Sequence, residues 1–233
     1  MFLDAYHQTD GETVQISAAQ GSRFAKEVAG DYNPIHDADS RRFCVPGDLL
    51  FALVLARYGL SARMDFEFRG MLGGGVPVHF PAAPGPAFDI ADDAGKVYLH
   101  VERDGERAHD PARIEAFVRR YVSFSGRNFP HYLLPLMAEH GVMFNPDRPL
   151  VIYDSMGFTL ESAAVAEPGM SLTGSGLDVQ GKRAEARLAF GIDDGGRPIG
   201  EGAKKLIVSG LRPYEEAAMD AFVAEFEARI TRR

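Results

Sequence analysis

PGDLLFALVLARYG, residues 46–59, is apolar on nearly every side. A helix that is hydrophobic all round belongs in a core, and Pro46 stands at the first turn, where a missing amide proton is harmless. Its longest apolar run, LLFALVLA at 49–56, is too short to cross a bilayer. Downstream, MDFEF, VPVHF and AFDIADDAGKVYLHV alternate as strands do, and the Asp/Gly turn after Ile90 is a hairpin signal. One buried helix followed by antiparallel strands predicts an α+β unit in which a sheet wraps a long helix.

The pattern recurs. PHYLLPLMAEHG, residues 130–141, aligns Pro130, Leu133, Leu134 and Met137 with Pro46, Leu49, Leu50 and Leu53. It is followed by the strand-like VIYDSMGFTLES and ARLAFGIDDGGRPIGEG, where DDGGR after Ile192 repeats the turn. Two such units sharing a sheet are therefore expected, one over residues 1–110 and one over 111–212. The boundary falls in the polar, proline-bearing GERAHDPARIE at 105–115. Residues 213–233 read as an amphipathic C-terminal helix, with Tyr214, Ala218, Phe222, Phe226 and Ile230 four apart and arginines closing the last turn.

The chain has 233 residues, 45% of them hydrophobic, enough for one large or two small cored domains. Its 33 acidic against 25 basic side chains, net charge -8, argue against nucleic acid or an anionic membrane as partner, since both need a basic face. The single Cys44 permits no internal disulfide, and the opening residues, with an early Asp4, lack the basic-then-apolar pattern of a leader. A cytoplasmic protein is expected.

Ahead of the first helix lies GDYNPIH, residues 30–36. Pro34 lacks an amide proton and pushes Asn33 out of the helical region, so the chain must turn between Asp31 and His36. Such a turn can aim a carboxylate and an imidazole at one water as a general acid/base pair; Asp and Asn beside Gly and Pro are also ordinary turn formers. Other motifs fail. GMLGGG at 70–75 and GSGLDVQG at 174–181 lack nucleotide-binding spacing and read as bends or bulges between strands. There is no GxSxG elbow, Cys44 has no evident activating base, and His36 with Asp37 and Asp39 lacks a second cluster of metal-site spacing, so no metal is expected.

The order of SRFAKEVAGDYNPIHDAD, RRFCVPGDLLFAL and antiparallel strands resembles the MaoC-like, (R)-specific enoyl-CoA hydratases of the hotdog fold. Phe24, Ala25, Gly30, Asp31, Asn33, Pro34, Ile35, His36 and Gly47 carry the likeness, over roughly the first third of the chain. It implies a double hotdog, two long helices each wrapped by an antiparallel sheet. Asp31 and His36 would bracket the water that adds to a trans-2-enoyl thioester of coenzyme A or an acyl-carrier protein. Asn33 would orient the acid, and the Gly47 amide would polarise the thioester carbonyl. The thioester is the substrate, and no separate cofactor is implied.

The second half holds only SFSGRNF where the first holds the acid/base loop, so at most one site per chain is expected; the resemblance implies that the helix at Leu133 to Ala138 makes room for the acyl chain, against the commoner reading of a purely structural core helix. The guanidinium forks of Arg41, Arg42, Arg119, Arg120 and Arg127 suit coenzyme A phosphates, but scattered surface arginines are the commoner reading, so none is assigned to binding; a homodimer is compatible with these features. Two departures matter. Ala38 stands where the family has an acid, so Asp37 or Asp39 is expected to cap the next helix instead. Asp48 follows Gly47, and a charge there opposes an enolate unless it is paired or turned away. A hotdog thioesterase and a non-catalytic acyl-thioester-binding module are the competing readings.

Overall fold

A computed structural model describes residues 2–126 and 128–231. A short hairpin, β1 (Gln8–Asp10) and β2 (Thr13–Gln15), leads into α1 (Ala18–Phe24). Ser17 caps α1 reciprocally: the Gln20 amide donates to Ser17 Oγ at 3.2 Å and the Ser17 amide to Gln20 Oε1 at 3.0 Å. The helix widens into a π-helical turn, Ala25–Ala29, and stops at Gly30, whose φ of 67° a side chain would disfavour.

The helix expected from the opening stretch is α2 (Gly47–Tyr58), with Leu49, Phe51, Ala52, Val54 and Leu55 wholly buried. Then come β3 (Leu60–Phe68), β4 (Pro77–His79), β5 (Ala87–Ala91) and β6 (Val97–Ala108). The second half comprises α3 (Pro111–Gly126), α4 (Leu134–Glu139), β7 (Val142–Met143), β8 (Leu150–Leu160), β9 (Pro168–Gln180), β10 (Arg183–Asp194) and β11 (Arg197–Ser209). β12 (Arg212–Pro213) pairs with β7, and α5 (Glu216–Thr231) closes the described chain.

Among the described residues ten strands form one antiparallel sheet in the order β1-β2-β4-β5-β6-β3-β8-β11-β10-β9. The halves meet where β3 runs antiparallel to β8, from Arg63 opposite Thr159 to Glu67 opposite Ser155. Each half curls round helix, and the chain is a double hotdog. The halves also share a core: the Phe51 ring of α2 stacks on Tyr121 of α3 at 4.3 Å between centroids. Such a pair contributes about 0.5–1.5 kcal/mol beyond the area it buries. No described helix is long and apolar enough to cross a membrane.

Three expectations are corrected. The second half is not wrapped round one long helix at 130–141. Its apolar stretch is a π-helical turn, Asn128–Leu133, followed by the six-residue α4, and Pro135 in that stretch denies the run a continuous hydrogen-bond ladder. The longer helix is α3, which buries Phe117 and Tyr121 against Phe158 of β8 and Phe190 of β10. Residues 174–180 are not a bend but the interior of β9, with an irregularity beside Gly174. In α5 the buried side chains are Met219 and Phe226 while Ile230 is exposed, because a step of four residues overshoots the 3.6-residue turn and drifts round the helix. Arg229 lies in its last turn; Arg232 and Arg233 lie outside the described residues. The Asp/Gly turns are hairpins as expected, with Gly95 N–H on the Asp92 carbonyl and Gly196 N–H on Asp193 Oδ1.

Candidate active site

The GDYNPIH segment leaves the π-helical turn with the Asp31 amide donating to the Ala25 carbonyl at 2.8 Å. It then closes a 3-10 turn, Pro34–His36, which Asn33 caps by accepting from the Ile35 amide at 3.2 Å. This turn brings the acid and the imidazole together: His36 Nε2 lies 3.5 Å from Asp31 Oδ2. The other ring nitrogen, Nδ1, is 2.8 Å from the Cys44 carbonyl oxygen. A carbonyl only accepts, so in the neutral ring Nδ1 carries the proton and Nε2 is a bare acceptor facing the carboxylate. Two acceptors face one gap, and a water donating one hydrogen to each satisfies both.

Asn33 meets the acid through its main chain: its amide N–H donates to Asp31 Oδ1 at 2.8 Å. Its side chain, expected to orient the acid, instead caps the turn and reaches the Val151 carbonyl of β8 at 3.4 Å. The demand for a cap on the 3-10 turn and for a partner in the second half outcompetes the neighbouring carboxylate. Neither Asp37 nor Asp39 caps the next helix, since α2 begins at Gly47 after Pro46 without a side-chain cap. Asp37 holds Lys26 at 2.7 Å and Arg229 at 3.1 Å instead, tying α5 to the motif.

Asp31, Asn33, His36 and Gly47 line one cavity of about 260 Å³, walled by Val45, Leu50, Phe68, Leu72, Val151, Ile152 and Leu206. Gly47 and Asp48 open α2 ahead of Leu49, whose amide donates to the Pro46 carbonyl at 3.0 Å, and the amides of this first turn carry the positive end of the helix dipole. Phe68 packs over Gly47 so closely that a Cβ there would meet its ring at 2.8 Å. Asp48 does not line the cavity. It is buried behind it, and Ser125 Oγ donates to its Oδ1 at 3.0 Å. The acid is thus both paired and turned away.

A family model matches residues 1–217. The chain belongs to that family, DUF3581, described as a protein of unknown function. No curated protein matches the DUF3581 chain. Solved structures similar to it include a hotdog-fold protein from Alicyclobacillus acidocaldarius, 10% identical over 92% of this chain and 99% of that one, TM-score 0.47. A putative thioesterase II from Thermobifida fusca is 10% identical over 89% and 97%, TM-score 0.44. A MaoC-like dehydratase is 11% identical over 86% and 97%, TM-score 0.42.

Some site residues of this DUF3581 protein escape sequence reasoning. Ser125, Arg69 and Tyr153 line the cavity, and Lys204 lies behind it on β11. Lys204 had a signal: it shares strand parity with Leu206 and Val208, which places it on the inward face. Of the arginines named for phosphate contacts, none among the described residues lines the cavity. Arg41 and Arg42 are exposed, Arg119 pairs with Glu115 at 2.7 Å, Arg120 reaches the Met170 carbonyl at 3.4 Å, and Arg127 lies outside the described residues. Arg69 takes the cavity-facing position, held by Glu67 at 2.9 Å.

Proposed function

We propose that this chain adds water to the double bond of a trans-2-enoyl thioester, carried on coenzyme A or an acyl-carrier protein, or removes it from an (R)-3-hydroxyacyl thioester in reverse. One observation carries the reading: Asp31 Oδ2 and His36 Nε2 face each other at 3.5 Å inside a cavity that also holds the start of α2. Water seated between them donates to both and turns a lone pair toward the substrate. As its oxygen bonds to C3, His36 Nε2 accepts the proton. The electron pair of the double bond moves onto the thioester oxygen, where the Gly47 amide holds the enolate charge. The Asp31–His36 pair then returns one proton to C2, so the elements of water are added and both side chains recover their starting state. The cavity falls just below the usual range for small-molecule pockets, roughly 300–1,000 Å³, which favours a short acyl group.

The pairing of Asp48 with Ser125 and Lys204 supports turnover. The test is a short trans-2-enoyl-CoA mixed with protein, with loss of the conjugated thioester absorbance and release of free thiol followed together. Absorbance loss without thiol is expected, lowered roughly 10²–10⁴-fold by His36→Ala and by Asp31→Asn. Thiol release without hydration would make the protein a thioesterase, and binding without either reaction a non-catalytic module.

A further inference from the structure

Behind the cavity lies charge that takes no part in the proton transfers of hydration. Asp48, in the first turn of α2, is 2% exposed and Lys204, in β11, is 1% exposed. Ser125, in the last turn of α3, stands between them: its hydroxyl lies 3.0 Å from Asp48 Oδ1 and accepts from Lys204 Nζ. The Lys204 ammonium also sits 3.9 Å from the centre of the Tyr121 ring and 5.5 Å from that of Tyr153, whose faces favour a cation. Burying two charges is costly unless each is paired and hydrogen-bonded. Here three elements from both halves of the chain converge to do so, directly beneath the amides expected to receive the enolate.

We propose that Lys204, acting through Ser125, is a positioning residue for enolate formation: it cancels the Asp48 charge so that the start of α2 can accept negative charge on the thioester oxygen. This inference rests on the hydratase reading. It makes the second half, which lacks an acid/base loop, an electrostatic part of the single site. Without the ammonium, an ionised Asp48 would set one buried negative charge against another forming within the same helical turn, where the low dielectric magnifies repulsion.

The charge balance depends on pH. Asp48 faces Lys204 and Ser125 and feels Asp31 and His36 of the motif; burial pushes its carboxyl up to about 6 against the pull of Lys204. Burial brings the Lys204 ammonium down to about 8. Tyr121, which also feels Asp65 of β3, and Tyr153 are raised well above the usual phenol range, and burial lifts the Cys44 thiol to about 11. As the solution is made alkaline, Lys204 loses its proton while Asp48 stays ionised, the site gains negative charge, and hydration slows.

The experiment measures kcat and KM for hydration of a short trans-2-enoyl-CoA from about pH 6 to about pH 9.5 in wild type, Lys204→Met and Asp48→Asn/Lys204→Met. Circular dichroism melts confirm that each is folded. Wild type should lose kcat with a midpoint near 8, and the double variant should lack that decline. At about pH 9 the double variant should exceed Lys204→Met in kcat by on the order of 10-fold or more, with KM alike, because it lacks the opposing charge. If Lys204→Met alone fails to fold, wild type against the double variant still decides. A double variant that keeps the alkaline decline, or an effect confined to KM, overturns the inference. Absence of hydration by wild type overturns it together with the hydratase reading, whereas hydration with a flat alkaline profile overturns it alone.

Discussion

Gly126, the last residue of α3, presses on Ala29 so tightly that a Cβ on it would overlap the Ala29 carbonyl oxygen. The contact seats the end of α3, and with it Ser125, against the turn from which the GDYNPIH segment departs. A backbone carbonyl cannot swing aside as a side-chain tip can, so a methyl group must push α3 and the motif apart. Gly126→Ala should therefore cost about 1–3 kcal/mol, the usual penalty of overpacking, and lower hydration more than stability loss explains. Urea unfolding read beside kcat at a temperature where the variant remains folded checks both.

That contact also marks where sequence reasoning stops. The motif, the buried α2 and the Asp/Gly hairpins are local: proline restriction, all-round hydrophobicity and turn chemistry act within a few residues. The pairing of Asp48 is not local, since Ser125 is 77 residues away and Lys204 lies 79 beyond Ser125. Nothing in an acidic residue after Gly47 says whether a hydroxyl will meet it. β9 escaped for another reason: its small polar stretch, GSGLDVQ at 174–180, contradicts strand propensity and is held in place by the ladder to β10. Apolar content alone overstates the second-half helix, because Pro135 inside the run breaks its hydrogen-bond ladder.

His36 has a definite tautomer in this geometry. With Nδ1 at 2.8 Å from the Cys44 carbonyl, the neutral ring keeps its proton there and leaves Nε2 open toward Asp31. Long-range ¹⁵N–¹H spectra of the free protein with the ring neutral should show Nδ1 protonated and Nε2 bare. The opposite pattern would remove Nε2 as the base. Moving the base would then require Asp31 to take the proton from water.

The C-terminal helix holds the motif by an apolar and a charged tie, and the apolar one should dominate. Phe226 is 4% exposed and meets the Tyr32 ring edge-on at 5.9 Å, inside the motif itself. Arg229 meets Asp37, next to His36, at 3.1 Å, but both side chains stay partly in water and Asp37 keeps Lys26 as well. Phe226→Ala should cost about 3 kcal/mol and Arg229→Ala less than about 1 kcal/mol, and only the former should depress hydration markedly. Equal losses in denaturant titrations would assign the clamp to charge.

The buried pair should also be legible in stability, with opposite signs at the two ends of the pH scale. Asp48, lifted from 3.8 to about 6, keeps its proton in the folded chain after the unfolded chain has released it. The native state therefore binds more protons across that window, and its stability falls as pH rises through it. Lys204, lowered from 10.5 to about 8, releases its proton earlier in the folded chain. There the unfolded chain binds more protons, and stability recovers as pH rises. Other groups titrate too, so the quantity to follow is the difference in unfolding free energy between wild type and Asp48→Asn/Lys204→Met. That difference should move against wild type from about 4 to about 6, stay level to about 8, and move back above it. Urea titrations at closely spaced pH values give it directly. A difference independent of pH would mean that both groups keep their ordinary proton affinity, as they would if water reached them.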